Sequence, residues 1–212
     1  MKYPIIDKTY KPDAVILGNG NFPNADLPLH LLKHAPYTVC CDGAADEFIA
    51  RGYTPDAIVG DCDSLSEENK LKYSAIIHIE HEQEDNDQTK AIRFCKAHGF
   101  KNIVIVGATG KREDHTLGNI SLLLRYMQMD MNVAAITDYG TFTPVHGTAK
   151  FESKKGQQIS IFNFTCTNLT ANNVVYPTRA FNSWWQGTLN ESKSDTFNIE
   201  ADGDYIVFMN AL

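Results

Sequence analysis

Between Asp13 and about Thr137, short apolar runs alternate with helical ones, and this alternation restricts the fold more than any other feature of the chain. Strands are predicted at residues 14–17, 37–41, 57–59, 75–79, 103–106 and 133–137, and helices at 27–34, 44–51, 66–73, 88–98 and 115–129. Strand–helix alternation of this kind builds a parallel sheet with helices on both faces. The strand segments are continuous apolar runs, as strands buried on both faces require. Gly99 follows His98 as a helix terminator, and Ala91, Phe94, Cys95 and His98 form one buried stripe on the helix before it.

After about Gly140 the pattern changes. Segments 148–152, 158–164, 169–175, 196–200 and 205–209 are short, rich in Thr, Phe and Val, and separated by Gly, Asn or Lys turns. They read as an antiparallel unit, a small β-sandwich. The fold class is therefore α/β, with a parallel sheet flanked by helices over residues 1–140 and a β-sandwich over 141–212. A piece as small as the second buries too little surface to stand alone. It is expected to pack against the first domain or a second copy, which makes a homodimer the expected state.

Nineteen basic against 26 acidic residues give a net charge of −7, which argues against a general nucleic-acid surface. A bound polyanion must be held locally, by a metal or a few chosen cations. Five cysteines without a Cys-x-x-Cys pair read as reduced, mostly buried thiols of a cytoplasmic protein. The first residues show no apolar signal region, and no apolar run is long enough to span a bilayer, so no membrane partner is expected.

In open parallel sheets, ligands bind outside the carboxyl ends of the strands. Here those ends carry Gly18-Asn19-Gly20-Asn21, Asp42-Gly43-Ala44-Ala45, Gly60-Asp61-Cys62-Asp63-Ser64, the acidic run 82–87 and the loop 107–114. Gly and Asn make turns wherever they occur; five such loops on one edge point to a cleft. Asp61 and Asp63, two apart where the chain leaves an apolar strand, suit Mg²⁺, which takes one or two carboxylates together with substrate phosphates. A lone Asp-x-Asp also serves strand ends and helix caps, and Ser64 with Glu67 reads as a capping box for the next helix.

Gly107-Ala108-Thr109-Gly110-Lys111-Arg112 follows a strand and opens a helix. Its glycines allow backbone N–H groups to approach phosphates, and Arg112 offers a clamp for two phosphate oxygens. It is neither a Walker A nor a Gly-x-Gly-x-x-Gly sequence. A plain strand-to-helix turn with Asp114 as cap is the bland alternative. Asp87 and Lys90 are three apart at a helix start and share a face; they read as metal ligand and phosphate contact, or as a cap and a solvated lysine. His115 at its helix start reads either as a group that orients a carboxylate or, as is commoner for a lone His there, as structural. Trp184 and Trp185 in a strand face opposite ways, one towards the core and one offering a flat surface to a ligand ring.

The segments 42–45, 55–64, 83–90 and 107–115, with Leu189-Asn190-Glu191, resemble the ordered motif set of the thiamine pyrophosphokinase family over nearly the whole chain. The resemblance implies an α/β domain and a β-sandwich in a homodimer with active sites between subunits, using Mg²⁺-ATP to pyrophosphorylate thiamine. It implies Asp61, Asp63 and Asp87 at the metal; Asp42, Gly43, Gln83, Thr89, Lys90, Gly107, Gly110 and Lys111 around the nucleotide; Arg112 and Asp114 in catalysis; and Asn190 in the thiamine pocket. From the Trp pair itself, Trp185 is the residue expected to meet the substrate. The chain departs from the family pattern at Lys111, Cys62, Asp46 and Leu189, where Gly, Phe, Asn and Ser are usual. The expected reaction moves the β,γ-diphosphate of ATP to the hydroxyl of thiamine, giving thiamine diphosphate and AMP. The rivals are another Asp-x-Asp transferase, such as a Mn²⁺-dependent glycosyltransferase, and a non-catalytic nucleotide- or thiamine-binding module.

Overall fold

The computed structural model describes residues 1–212. In chain order its elements are β1 (Lys2–Tyr3), β2 (Ala14–Leu17), α1 (Asp26–Lys33), β3 (Thr38–Cys41), α2 (Ala44–Ala50), β4 (Ala57–Gly60), α3 (Glu67–Lys72), β5 (Ile77–Ile79), α4 (Asp87–Ala97), β6 (Asn102–Val106), α5 (Glu113–Gln128) and β7 (Asn132–Thr137). They continue with β8 (Gly140–His146), β9 (Ala149–Glu152), β10 (Gln158–Asn163), β11 (Leu169–Asn172), β12 (Asn190–Glu191), β13 (Thr196–Ala201) and β14 (Asp204–Asn210). The chain divides into two compact units, one of residues 10–138 and one of residues 1–9 with 139–212.

In the first unit every strand pairing is parallel, in the order β7-β6-β2-β3-β4-β5. The run Ala14 to Leu17 is almost wholly inaccessible, as are Ile58, Val59 and Ile103 to Val106. Continuous apolar sequence is what a strand covered on both faces needs. The order places β2 in the middle, so the loops that leave β2, β3, β4 and β6 gather at one edge. The sheet ends in β5, whose Ile79 is exposed; residues 75 and 76, expected to be strand, belong to a 3₁₀ turn, Ser74–Ile76, before it.

The second unit holds a four-stranded sheet, β1-β9-β13-β11, and the neighbouring strands β12-β10-β14-β8, which are one part of a ten-stranded sheet. Phe151, Phe197 and Ile199 from one sheet and Ile159, Ile161, Tyr205 and Val207 from the other share a single core. Strands contribute alternate residues to it, as in any sandwich. Two features differ from the sequence reading. The opening segment 1–9, assigned to the α/β domain, belongs to this unit, because β1 pairs parallel with β9 and Tyr3 stacks on Phe151 at 4.9 Å. Strand β8 was not predicted; Pro144 in its middle argues against a strand, yet it pairs with β14 from Gly140 to His146.

Candidate active site

The α/β unit carries a cleft of about 590 Å³ at the ends of its strands, walled by parts of all five predicted loops. Two of these loops interlock. A Cβ on Gly18 would come within 2.7 Å of the Gly107 carbonyl oxygen, and one on Gly107, whose φ is 65°, within 2.7 Å of that of Gly18. The Gly20 N–H donates to the Gly107 carbonyl at 2.7 Å, and the Asn21 N–H to that of Thr109 at 2.8 Å. Gly107 therefore serves the packing of loop on loop, and it lies off the cleft wall. Gly110 lines the cleft, but its N–H is engaged by Thr116 Oγ1 at 3.1 Å. Of the two glycines expected around the nucleotide, Gly110 stands on the cleft wall and Gly107 lies behind it.

Carboxylates gather at the next two loops. One oxygen each from Asp42, Asp61 and Asp63 lies within 4.8 Å of the others. Asp42 is 3 % exposed and sits in the left-handed region with φ 41°. One of its oxygens accepts from the Ser64 N–H at 3.0 Å; the other, Oδ1, is buried with no hydrogen-bond partner. Buried carboxylate oxygens are normally satisfied, so an orphan beside two further carboxylates has the form of a ligand awaiting a cation. Burial, with Asp63 and Asp87 close by, pushes the Asp42 carboxyl up to about 6 from its ordinary 3.8. Asp61 is held below the usual range by the Gln83 amide, which donates from Nε2 to Oδ2 at 3.0 Å, and by the Asp63 N–H at 3.2 Å. The Ser64 hydroxyl donates to Asp63 at 2.9 Å.

Asp87 lies outside the group of three but close to it. A Cβ on Gly60 would fall 2.9 Å from Asp42 Cβ and 3.1 Å from Asp87 Oδ1, so both side chains close over that glycine. Burial raises the Asp87 carboxyl, and Lys90, donating from Nζ to Oδ1 at 3.2 Å, works against the rise. Lys90 is 2 % exposed and lines the cleft, which rules out the solvated lysine of the bland reading. Nor does Asp87 cap α4: Asn86 does, accepting from the Thr89 N–H at 3.0 Å. The cap of α3 is likewise Ser66 with Asn69, not the expected Ser64 and Glu67.

On the opposite wall Lys111, at φ 60°, donates to Asn19 Oδ1 at 3.1 Å. Arg112 forms a two-bond pair with Asp114, at 3.1 Å from Nε and 2.5 Å from Nη2. This pair holds the Asp114 carboxyl below its usual range, and α5 has no side-chain cap, so Asp114 is not a capping residue.

Thr89 and Gly43, expected around the nucleotide, do not line the cleft, and neither do Asp63 and Asp114. Thr89 is fully buried, with its hydroxyl shared between Asn86 at 2.9 Å and Tyr126 at 2.8 Å. Gly43 underlies Asn19 and Ser64, with no place on the wall. Asn190, in the other unit, spends its amide on the backbone, accepting from the Tyr176 N–H at 3.0 Å and donating to its carbonyl at 2.9 Å. Trp184 and Trp185 lie in a short 3₁₀ helix, not a strand. Trp184 packs on Phe164 at 5.2 Å and both rings are accessible, with Trp185 74 % exposed. One wall residue had no sequence signal: Asn119 donates to the Ala108 carbonyl at 2.8 Å and accepts from Asn86 at 2.8 Å, joining two loops through α5.

The sequence matches the family model described as thiamin pyrophosphokinase, catalytic domain, over residues 29–135, and that of the substrate-binding domain over residues 140–208. The chain belongs to the thiamin pyrophosphokinase family. It is 29% identical over 116 residues to thiamin pyrophosphokinase 1 of Caenorhabditis elegans, covering 50% of this chain and 47% of that protein. It is 31% identical over 151 residues to thiamine pyrophosphokinase 2 of Arabidopsis thaliana, covering 59% and 55%. The chain thus spans about half the length of these relatives. Its fold is that of the thiamin pyrophosphokinase from Candida albicans, with a TM-score of 0.78 at 19% identity over 94% of this chain and 90% of that one. The yeast enzyme's structure gives 0.81 at 16% identity over 100% and 91%.

Proposed function

We propose that this chain transfers the pyrophosphoryl group of ATP to the hydroxyl of thiamine, releasing thiamine diphosphate and AMP. The observation that carries the reading is the unpartnered Asp42 Oδ1, buried beside Asp61 and Asp63 in the unit that matches the family's catalytic domain. This all-oxygen donor set fits a hard cation such as Mg²⁺. Asp42, Asp61 and Asp63 would hold it, with Asp87 adjoining, and when bound it supplies charge neutralisation for the triphosphate. Asp42, expected beside the nucleotide, would thus serve as a metal ligand.

The remaining steps rest on side chains of the chain itself. Lys90, buried on the cleft wall, presents its ammonium to phosphate oxygens in a poorly solvated place. Arg112 and Lys111 approach from the other wall. Arg112 exchanges part of its pairing with Asp114 for a bidentate grip on phosphate. Asp114 stays ionised and aligns Arg112 and the incoming hydroxyl. Catalysis is then mostly positioning, as in other phosphoryl transfers. For thiamine, the exposed face of Trp185 lies in the unit matched by the substrate-binding model and offers a stacking surface. Asn190 shapes that region by fixing the loop at Tyr176. For a homodimer, the exposed side chains of Tyr176, Trp185 and Leu189 offer apolar surface to a second copy. A cytoplasmic setting is supported by five cysteines that are all free and buried; no helix is long and apolar enough to cross a membrane.

Incubation with ATP, Mg²⁺ and thiamine, followed by chromatography, is expected to yield thiamine diphosphate and AMP in equal amounts. ADP as the nucleotide product, or no thiamine-dependent AMP, contradicts the proposal.

A further inference from the structure

The segment between β5 and α4 poses an electrostatic problem. Glu80, Glu82, Glu84, Asp85 and Asp87 follow one another within a short stretch, and Glu84, Asp85 and Asp87 line the cleft together with Asp42 and Asp61. Repulsion among these charges would drive the loop away from the cleft. Two arginines from neighbouring helices oppose this. Arg93 of α4 pairs with Glu80 and Asp85 and lies 3.7 Å from Glu82. Arg125 of α5 reaches the same Asp85, with its second nitrogen at 3.2 Å from Oδ2. Asp85 is only 11 % exposed and stands on the cleft wall, gripped from two helices at once. Its own N–H donates to Glu82 at 2.8 Å, closing the loop on itself.

We propose that Arg93 and Arg125, acting through Asp85, are positioning residues that hold loop 80–86 against the carboxylate cluster in its cation-binding shape. What the loop delivers is specific. Gln83 donates to Asp61, fixing one of the three carboxylates, and Asn86 starts α4, which carries Asp87 and Lys90 into the cleft. Neither arginine lines the cleft itself, so they act on a ligand only through the loop. The inference rests on the divalent-cation reading of Asp42, Asp61 and Asp63.

The direction of the effect separates positioning from simple electrostatics. Removing a positive charge near an anionic site strengthens cation binding if the arginine acts only through its charge. If it holds the loop in place, removing it weakens binding, and loss of such outer partners costs about 10–100-fold in metal affinity. The test is Mn²⁺ titration of the full chain, followed by electron paramagnetic resonance of the free ion, alongside the thermal midpoint of the metal-free protein. Arg125→Gln and Arg93→Gln are expected to remain folded and bind Mn²⁺ about tenfold or more weakly. Arg125→Lys restores only part of the affinity, because an ammonium lacks the two-pronged geometry. Arg125→Gln combined with Asp85→Asn should be little weaker than either alone, as expected for residues acting through each other. Arg125 is half exposed, so its variants carry the test if Arg93→Gln does not fold. Unchanged or tighter Mn²⁺ binding in a folded Arg125→Gln protein overturns the inference. Failure of the unaltered protein to bind Mn²⁺ overturns the cation reading itself, and the two failures are told apart by that control.

Discussion

Polar residues are buried in both units, but they are used in opposite ways. In the β unit, the Ser153 and Ser192 hydroxyls lie 2.8 Å from each other and 3.0 and 2.8 Å from the Ser194 carbonyl, their two protons divided among these contacts, while Asn190 spends both ends of its amide on Tyr176. These groups are satisfied internally and tie loops to the sandwich. At the rim of the α/β unit, Asp42 keeps an oxygen without a partner, burial raises the carboxyls of Asp42 and Asp87, and Asp42, Cys62 and Lys111 adopt positive φ. Strain and unpaired charge collected at one edge are tolerated where they serve binding. A buried polar residue alone is therefore no sign of a site; a buried one left unsatisfied among like charges is.

Substitution at Asp42 gives the largest expected contrast with the β unit. Asp42→Asn is expected to lower turnover by about a hundredfold or more, since it removes one charge of the cation set. The same change should make the metal-free protein more stable. A carboxyl whose folded pKa lies above its unfolded value favours the protonated fold. The unaltered protein accordingly loses stability as pH rises from 3.8 to about 6 and is level above that range. The upper bound on this loss is about 3 kcal/mol, at ~1.4 kcal/mol per pKa unit. Thermal scans from pH 4 to 7 without metal should show the decline in the unaltered chain and a smaller one in Asp42→Asn; the same decline in both breaks the contrast.

In the β unit the order of effects reverses. Asn190→Ala should cost roughly 1–3 kcal/mol by leaving the Tyr176 backbone groups unpaired, read as a drop of about 2–4 °C in Tm per kcal/mol. Trp185→Ala is the smallest change in stability, within about 0.5 kcal/mol for so exposed a side chain. It should instead raise KM for thiamine roughly fivefold, in line with about 1 kcal/mol of lost stacking. An Asn190→Ala protein with normal Tm, or a Trp185→Ala protein with normal KM, sharpens the comparison by showing which of the two carries the substrate.

The sequence made much of the α/β unit legible because apolar runs and turn residues act locally. The six parallel strands, the gathering of loops at one edge, and Asp61 with Asp63 all follow from short-range pattern. What it hid depends on contacts between distant residues. Asp42 joins the carboxylates through its left-handed turn and the approach of Gly60. Asn119 and Arg125 act on loops far away in sequence because α5 packs beside α4. Asn86 took the cap that would have explained Asp87 away. In the β unit, Pro144 disguised β8, and the pairing of β1 with β9 is long-range by nature.

Soaking crystals of the full chain in Mn²⁺ and recording the anomalous signal tests most directly whether this rim is a cation site. A peak within coordination distance of Asp42, Asp61 and Asp63, lost in Asp42→Asn, is the expected result. A well-ordered rim with no peak there, or Mn²⁺ held only by residues elsewhere, would contradict it.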